Sequence, residues 1–216
     1  MEIDHVFIII DPKGCALAHL QSLGLTQTYR RQHQGQGTEN VCFCFDNLFL
    51  EVLWINSPAD LRSEKIARTK LYERSRWATG GTNPFGIAWR GSRDGVDPPI
   101  STWRFFPPYL SAGMGIDVAV DSDDARQPMM FESPGGSPPI DWPTEKKGAL
   151  QQASGSGRVL GIDLHLPASV APSPALRSIA MQTILNLQVS GSDQFSMTLY
   201  IEKHGSPQPA VLCLPV

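Results

Sequence analysis

Apolar and polar positions recur along this chain with two periods, close to two and close to four, and the switches between them outline its elements. The opening EIDHVFIII is rich in β-branched residues and predicts a strand. In DPKGCALAHLQSLGL the apolar residues Ala16, Leu17, Leu20 and Leu23 return at helical spacing, and Gly24 supplies a stop. A short strand near TQTYRR, the strand NVCFCFD, a two-residue turn that includes Asn47, and the strand LFLEVLWI complete a β-α-β-β-β order over residues 1–57. In 58–132 the first expectation is an exposed helix over 58–77, because RSEKIARTKLYERSR interleaves its basic residues with Glu64 and Glu73. TGGTNP ends it, and the strand-like pieces FGIAWR, STWRFF, GIDVAV and PMMFES follow; GSRDGVDPP, a loop by its proline and glycine, stands where a helix is due. Residues 133–157 run from SPGGSPP to ASGSG and read as a linker or surface loop. From 158 to 216, RVLGIDLHLP, the short helix SPALRSIAMQ and the strands TILNLQVSG, FSMTLYIEK and AVLCLPV restore the β-α-β-β-β order. The chain therefore carries a weak internal repeat whose middle copy is degenerate, and its class is α+β.

Composition narrows the partners more than the fold. With 216 residues, 41% hydrophobic and 18% charged, the chain can bury a full core, and 19 glycines with 18 prolines favour strands and turns over helical bundles. A net charge of -3 and a pI near 5.9 give no electrostatic reason to expect nucleic acid or an anionic membrane. No apolar run approaches the roughly 20 residues of a membrane span, and MEIDHVFIII has acidic residues where a signal peptide carries basic ones, so a cytoplasmic location is expected. The four cysteines form no C-x-x-C pair; Cys42 and Cys44 share a strand face and read as small buried hydrophobes. There is no G-x-S-x-G elbow, and the SGSG at 154–157 falls in the loop region rather than between a strand and a helix.

Two strand positions break the apolar pattern. By alternation His5 groups with Ile3, Phe7 and Ile9, and Glu51 groups with Phe49, Leu53 and Ile55. A carboxylate embedded in that way needs a partner. An imidazole and a carboxylate on facing strands suit a divalent metal or a base with its orienting acid; a His–Glu hydrogen bond that only satisfies two core residues is the plainer alternative. HQGQGTEN, at 33–40, raises the same choice. Gly35 and Gly37 allow positive φ and close approach, while Thr38 and Asn40 either bond the turn or face a cavity, and His33 can point inward beside His5 and Glu51. Arg90, at the end of FGIAWR, is a candidate anchor for an acidic group or otherwise a solvent-exposed strand end. Trp54, Trp89 and Trp103 are candidates for a cavity wall or for core; His19 and His204 read as surface residues.

DHVFII, the following helix, the H-x-G-x-G-T-x-N pattern of His33, Gly35, Gly37, Thr38 and Asn40, and LFLEVL ending in the strand of Glu51 together resemble the glyoxalase-like domain family of the vicinal oxygen chelate superfamily. The likeness is clear over 2–56, looser through FGIAWR and PMMFES, and fits a further β-α-β-β-β unit at the C-terminus. It implies paired modules that curl into a cup, formed by the first and middle units, with the C-terminal unit packed alongside. It also implies one divalent ion (manganese, iron, nickel or zinc) held by a histidine on a module's first strand and a carboxylate on its last, roles that fall on His5 and Glu51. The second pair departs from the pattern: Pro84 or Leu164 stands where a second histidine belongs, with His165 one residue out of phase, and Thr198 matches Glu51, leaving Glu132 as a substitute. Two readings stay open. One is a lyase, isomerase or dioxygenase acting on a small oxygen-rich metabolite, with His5, His33 and Glu51 catalytic and Thr38, Asn40, Arg90 and Glu132 toward substrate. The other is a metal-free binding or sequestration protein of the bleomycin-resistance type. A homodimer is a further expectation, since a partner chain could cover an exposed sheet or complete a cup.

Overall fold

The computed structural model describes residues 1–11, 15–91 and 99–214. Most of the expected GSRDGVDPP loop and the start of the first helical segment lie outside the described residues. The sequence pattern resolves into strands β1 (Glu2–Ile9), β2 (Tyr29–His33), β3 (Thr38–Cys44), β4 (Phe49–Ile55), β5 (Phe85–Arg90), β6 (Thr102–Phe105), β7 (Ile116–Ala119) and β8 (Met129–Glu132), with helix α1 (Ala16–Ser22) after β1. These strands form one eight-stranded sheet in the order β2-β3-β4-β1-β5-β8-β7-β6.

The order contains its own symmetry. β1 pairs parallel with β4, and β5 pairs parallel with β8, so the first strand of each half lies beside its last. The halves join where β1 runs antiparallel to β5. This is the expected paired-module arrangement, and the middle unit, not the C-terminal one, completes the sheet.

The C-terminal strands β9 (Ser156–Pro167), β10 (Leu185–Ser190), β11 (Ser196–Lys203) and β12 (Ala210–Leu214), with helix α2 (Pro174–Gln182), build a second sheet in the order β10-β9-β11-β12. The element order is the expected one, but the pairing differs from that of the other two units: here the first strand lies between the second and third. The reason is visible in burial. Leu164, Leu166, Leu176, Ile179, Met197 and Leu199 pack in one core with Val6, Ile8, Phe43, Leu50, Val52 and Ile87 from the back of the large sheet. The second sheet thus covers the back of the large sheet, and no helix stands between β5 and β6 among the described residues. Burial of apolar area at about 25 cal/mol per Å² is the force that seats it. Asn47 fixes the register of that contact, donating to the carbonyl of Val159 and accepting from its amide, both at 2.9 Å.

The single charged helix expected over 58–77 is replaced by short helical turns at Pro58–Leu61, Ala67–Thr69, Leu71–Arg74 and Trp77–Gly80. Leu61, Ile66 and Leu71 are five residues apart, a spacing that no α-helical face repeats, yet all three are buried against Phe7, Ile9 and Leu53 on the front of the sheet. Lys70, at φ 57°, breaks the path between the second and third turns. Arg74 is fully buried and donates to the carbonyls of Asn83, Ser122, Ala125 and Gln127, tying this segment to the turn before β8. Of residues 133–157, read as a linker or loop, the last two already belong to β9, and the rest holds short helical turns at Pro139–Asp141, Thr144–Lys147 and Gln152–Ser154 that carry Trp142 and Leu150 onto Tyr29, Phe49, Cys42 and Cys44.

Candidate functional site

The front of the large sheet holds a cavity of about 170 Å³, lined on one side by His5, Arg31, His33, Gln36, Asn40 and Glu51. The other side is supplied by Phe105, Tyr109, Leu110, Ile116, Met129 and Phe131. The polar residues come from the first unit, and the second unit adds one phenol and otherwise apolar side chains.

Strict alternation fails once in β1, and the failure builds the site. The β1–β5 register runs Ile3 opposite Trp89 and then His5 opposite Ala88, so Asp4 is the extra residue of a bulge. Ile3, expected on the side of His5, instead joins Val6 and Ile8 in the core behind the sheet, while His5 and Phe7 face the cavity. The neighbouring Asp4 then reaches His5, with 2.6 Å between its Oδ1 and Nδ1.

That contact orients the imidazole. Burial alone would raise the Asp4 pKa, but the hydrogen bond and charge of His5 and the charge of Arg90 outweigh it and hold the carboxyl below its usual value. An ionised carboxylate can only accept, so Nδ1 of His5 carries a proton and Nε2 points away, toward Glu51. Nε2 lies 3.6 Å from Oε2 of Glu51, too far for a hydrogen bond. The ring stacks on Phe49 with centroids 4.3 Å apart and meets Phe131 edge-on. Arg90, expected as a ligand anchor, stands behind this pair: its guanidinium donates to Asp4 at 3.0 Å, to Glu2 at 3.2 Å and to the carbonyl of Asn47 at 3.0 Å.

Glu51 lies in β4 between Phe49 and Leu53, both on the cavity wall, and is 8% exposed. Its Oε1 accepts from Nδ2 of Asn40 at 2.5 Å, and Oδ1 of Asn40 accepts from the backbone amide of Arg31 at 3.0 Å. The second bond settles which way the Asn40 amide faces, so its NH2 is fixed on the carboxylate.

HQGQGTEN proves to be a turn and a wall at once. Gly35 and Gly37 adopt φ of 76° and 87° between β2 and β3, and a Cβ on Gly37 would lie 2.3 Å from the carbonyl oxygen of Ser57. The turn sets His33 and Asn40 on the cavity, while Thr38 sits fully buried behind them, its Oγ1 at 2.8 Å from Nδ1 of His33 and accepting from Gln36 at 2.9 Å. His33 stacks on Tyr109, centroids 4.3 Å apart. Burial lowers its pKa, against the pull of Glu51 and with the help of Arg31, so the ring is neutral near pH 7.

The remaining expected residues fall elsewhere. Glu132 is exposed at the end of β8 and does not line the cavity, although its neighbour Phe131 does. Trp54 and Trp89 belong to the core behind the sheet, and Trp103 packs beside Phe105 outside the wall. Leu164, a candidate position for the second histidine, is buried in the core between the sheets, far in topology from the cavity. Cys42 and Cys44 are buried, and burial pushes the Cys44 thiol up to about 12 and that of Cys42 up as well, so neither offers a thiolate. Asp4, Arg31, Gln36 and Tyr109 were not singled out from sequence. Arg31 had a signal, since it shares parity with Tyr29 and His33 on one strand; Asp4 had none, because a bulge is invisible to alternation.

The donor set decides how well a resident divalent ion fits. His5 Nε2 and Glu51 Oε2 face one another at a separation that two ligands of one ion can adopt, but the opposite wall is Met129, Phe131, Ile116 and Phe105. Among the described residues no group of three His, Cys, Asp or Glu side chains gathers around a common point. The residues present do not complete such a site.

Comparison with known proteins gives a partial family match. Residues 3–104 match the model of the glyoxalase-like domain. No curated protein matches the chain. Among solved structures, a methylmalonyl-CoA epimerase of Streptomyces coelicolor in complex with 2-nitronate-propionyl-CoA is similar at 15% identity and a TM-score of 0.38, over 62% of this chain and 97% of that one. A hypothetical protein from Staphylococcus aureus is similar at 9% identity and 0.47, over 88% and 86% of the two chains. A hypothetical protein from Bacillus halodurans is similar at 16% and 0.38, over 62% and 96%. The matched segment forms the first unit and the start of the second in the paired-module sheet, so it is over these residues, 3–104, that the chain is similar to the glyoxalase-like domain.

Proposed function

We propose that the chain is a small-molecule enzyme of the isomerase or lyase class, in which Glu51 moves a proton on a carbon made acidic by a neighbouring carbonyl. The observation that supports this most is the setting of Glu51: one carboxylate on a largely apolar cavity, held by Asn40 and facing the free nitrogen of His5. A base so placed loses water around it when a substrate enters, and its orientation is fixed beforehand by the Asn40 amide. His5, oriented by Asp4, offers Nε2 as the second proton carrier, able to receive the proton that Glu51 takes and, once protonated, to donate a hydrogen bond to the carbonyl oxygen as charge develops there. Neutral His33 and the phenol of Tyr109, kept protonated by burial, line the same space as hydrogen-bonding groups. None of these steps is routed through a metal.

A second reading, a sequestration protein, draws on the apolar character of the wall from the second unit. Solvent deuterium exchange separates the two. Proton NMR in D2O follows the hydrogens next to the carbonyl in a panel of small 2-oxo acids, 2-hydroxy ketones and sugar phosphates. Exchange above the buffer rate by the wild type, reduced about 100-fold or more in Glu51→Gln, is the expected result. Binding without exchange in any panel member transfers the assignment to the sequestration reading.

A further inference from the structure

The proton-transfer reading leaves one cavity group without a task. Arg31 lies on β2, its side chain on the same face as Tyr29 and His33, and it lines the cavity from the exposed rim. Its guanidinium rests over the Tyr109 ring, 4.9 Å from the centroid, and donates to the Tyr109 carbonyl at 3.3 Å. These contacts hold the plane of the group but leave most of its five donors unused.

The other arginines on the strands of the large sheet are engaged differently. Arg30 bonds Glu39, Arg90 bonds Asp4 and Glu2, and Arg104 bonds Asp117. Among the described residues Arg31 meets no carboxylate within ion-pair distance. A cation parked on an aromatic face, at the mouth of a cavity whose floor carries Glu51, is arranged to receive an anion that the floor would repel.

We infer that the ligand of this cavity is a small anion whose carboxylate or phosphate is gripped by Arg31 at the mouth, so that its opposite end is presented to Glu51. The inference rests on the proton-transfer reading for the second half of that statement only. The ladder sets the scale. Arg31 pairs with Asn40 and Asn40 with Leu53, while Glu51 lies two residues along the strand of Leu53. Two strand spacings and two residues separate the backbones by about 10–12 Å, which side chains reaching inward shorten to the length of a small acid. The orientation is also chemically sensible: an oxyanion kept at the rim stays partly solvated, and a carbonyl-bearing carbon is carried into the apolar interior.

The test uses the intact chain and matched probes. Pyruvate, 2-oxobutanoate and 2-hydroxybutanoate are titrated by ligand-detected NMR against their amides, with dihydroxyacetone phosphate and inorganic phosphate as the phosphate arm. The expected result is that anions bind better than amides, and that Arg31→Gln weakens the anions 10- to 100-fold while leaving amides unchanged. Arg31→Lys recovers part of the loss, because charge without the planar fork remains. A preference confined to the phosphate arm identifies phosphate as the oxyanion; one confined to the acids identifies carboxylate. Equal affinity for acids and amides, an unaltered affinity in Arg31→Gln, or no binding by any anion overturns the inference. Glu51→Gln serves as the separate control. If it keeps anion affinity and abolishes exchange, both readings stand; Arg31-dependent binding with no exchange even in wild type removes the enzyme reading alone, and exchange that ignores Arg31 removes the anion inference alone.

Discussion

Replacing Asp4 by asparagine changes one atom and tests how the site is held. The carboxylate accepts two hydrogen bonds at once, from His5 at 2.6 Å and from Arg90 at 3.0 Å, each on a different oxygen. Asparagine has a single acceptor oxygen, so its NH2 must face one of those two donors. If it faces Arg90, a guanidinium that is 5% exposed keeps only Glu2, whose side chain is 67% exposed, and the carbonyl of Asn47. Breaking one side of a buried pair costs about 3–5 kcal/mol, and the two contacts that Arg90 retains bring the expectation to about 2–3 kcal/mol. Urea unfolding of wild type and Asp4→Asn measures the difference from the shift in midpoint at constant slope. The same substitution lets His5 adopt the other tautomer, which nitrogen-15 NMR of the ring reports directly. A loss below about 0.5 kcal/mol, within the range of ordinary surface changes, together with an unaltered His5 tautomer, would refute the claim that Asp4 links Arg90 to the cavity.

The turn and the titrating groups give further expectations. Gly37→Ala is expected to cost at least about 2–3 kcal/mol, since φ is 87° and the new Cβ would meet the Ser57 carbonyl oxygen at 2.3 Å, whereas Gly35→Ala, whose nearest contact is Pro108 Cβ at 2.9 Å, should cost less; equal urea midpoints would contradict this ordering. Because Asp4 and His33 both have lowered pKa values, the folded chain binds fewer protons than the unfolded one and stability rises with pH. The His33 contribution is complete above about pH 6.5 and declines as pH falls through its folded value, and that of Asp4 is complete above about pH 3.9 and declines below. Urea midpoints at several pH values should therefore fall from neutral pH downward, with the upper part of the slope flattened in His33→Gln; an unchanged slope in that variant sinks the assignment.

Legibility in the sequence followed periodicity. The strands β1, β3 and β4, buried on both faces, announced themselves by their apolar runs, and so did the H-x-G-x-G-T-x-N turn, because glycine at positive φ leaves a mark that needs no partner. Glu51 was legible for the same reason, as a carboxylate in phase with Phe49 and Leu53. The misplaced residues depend on long-range contacts. Asp4 enters the site only because β5 skips a residue of β1, and Arg90 is drawn away from the cavity by that same Asp4. The charged segment after β4 looked like a solvated helix because nothing local shows that Arg74 will cap four carbonyls from other parts of the chain. The C-terminal strands repeat the element order of the first unit, but order does not fix pairing. Burial against the apolar back of the large sheet decided where they went.

The central claim is that the first unit's carboxylate and imidazole suffice for proton transfer without a resident ion, since the facing wall supplies no further ligand. The measurement that tests it most directly is the deuterium-exchange rate of the wild type after dialysis against a chelator, with residual metal read by elemental mass spectrometry on the same sample. The expected result is an exchange rate unchanged by metal removal and lost in Glu51→Gln. Exchange that disappears on chelation and returns with one equivalent of manganese, iron, nickel or zinc, bound in wild type but not in His5→Ala, would contradict the claim and make His5 and Glu51 ligands rather than proton carriers.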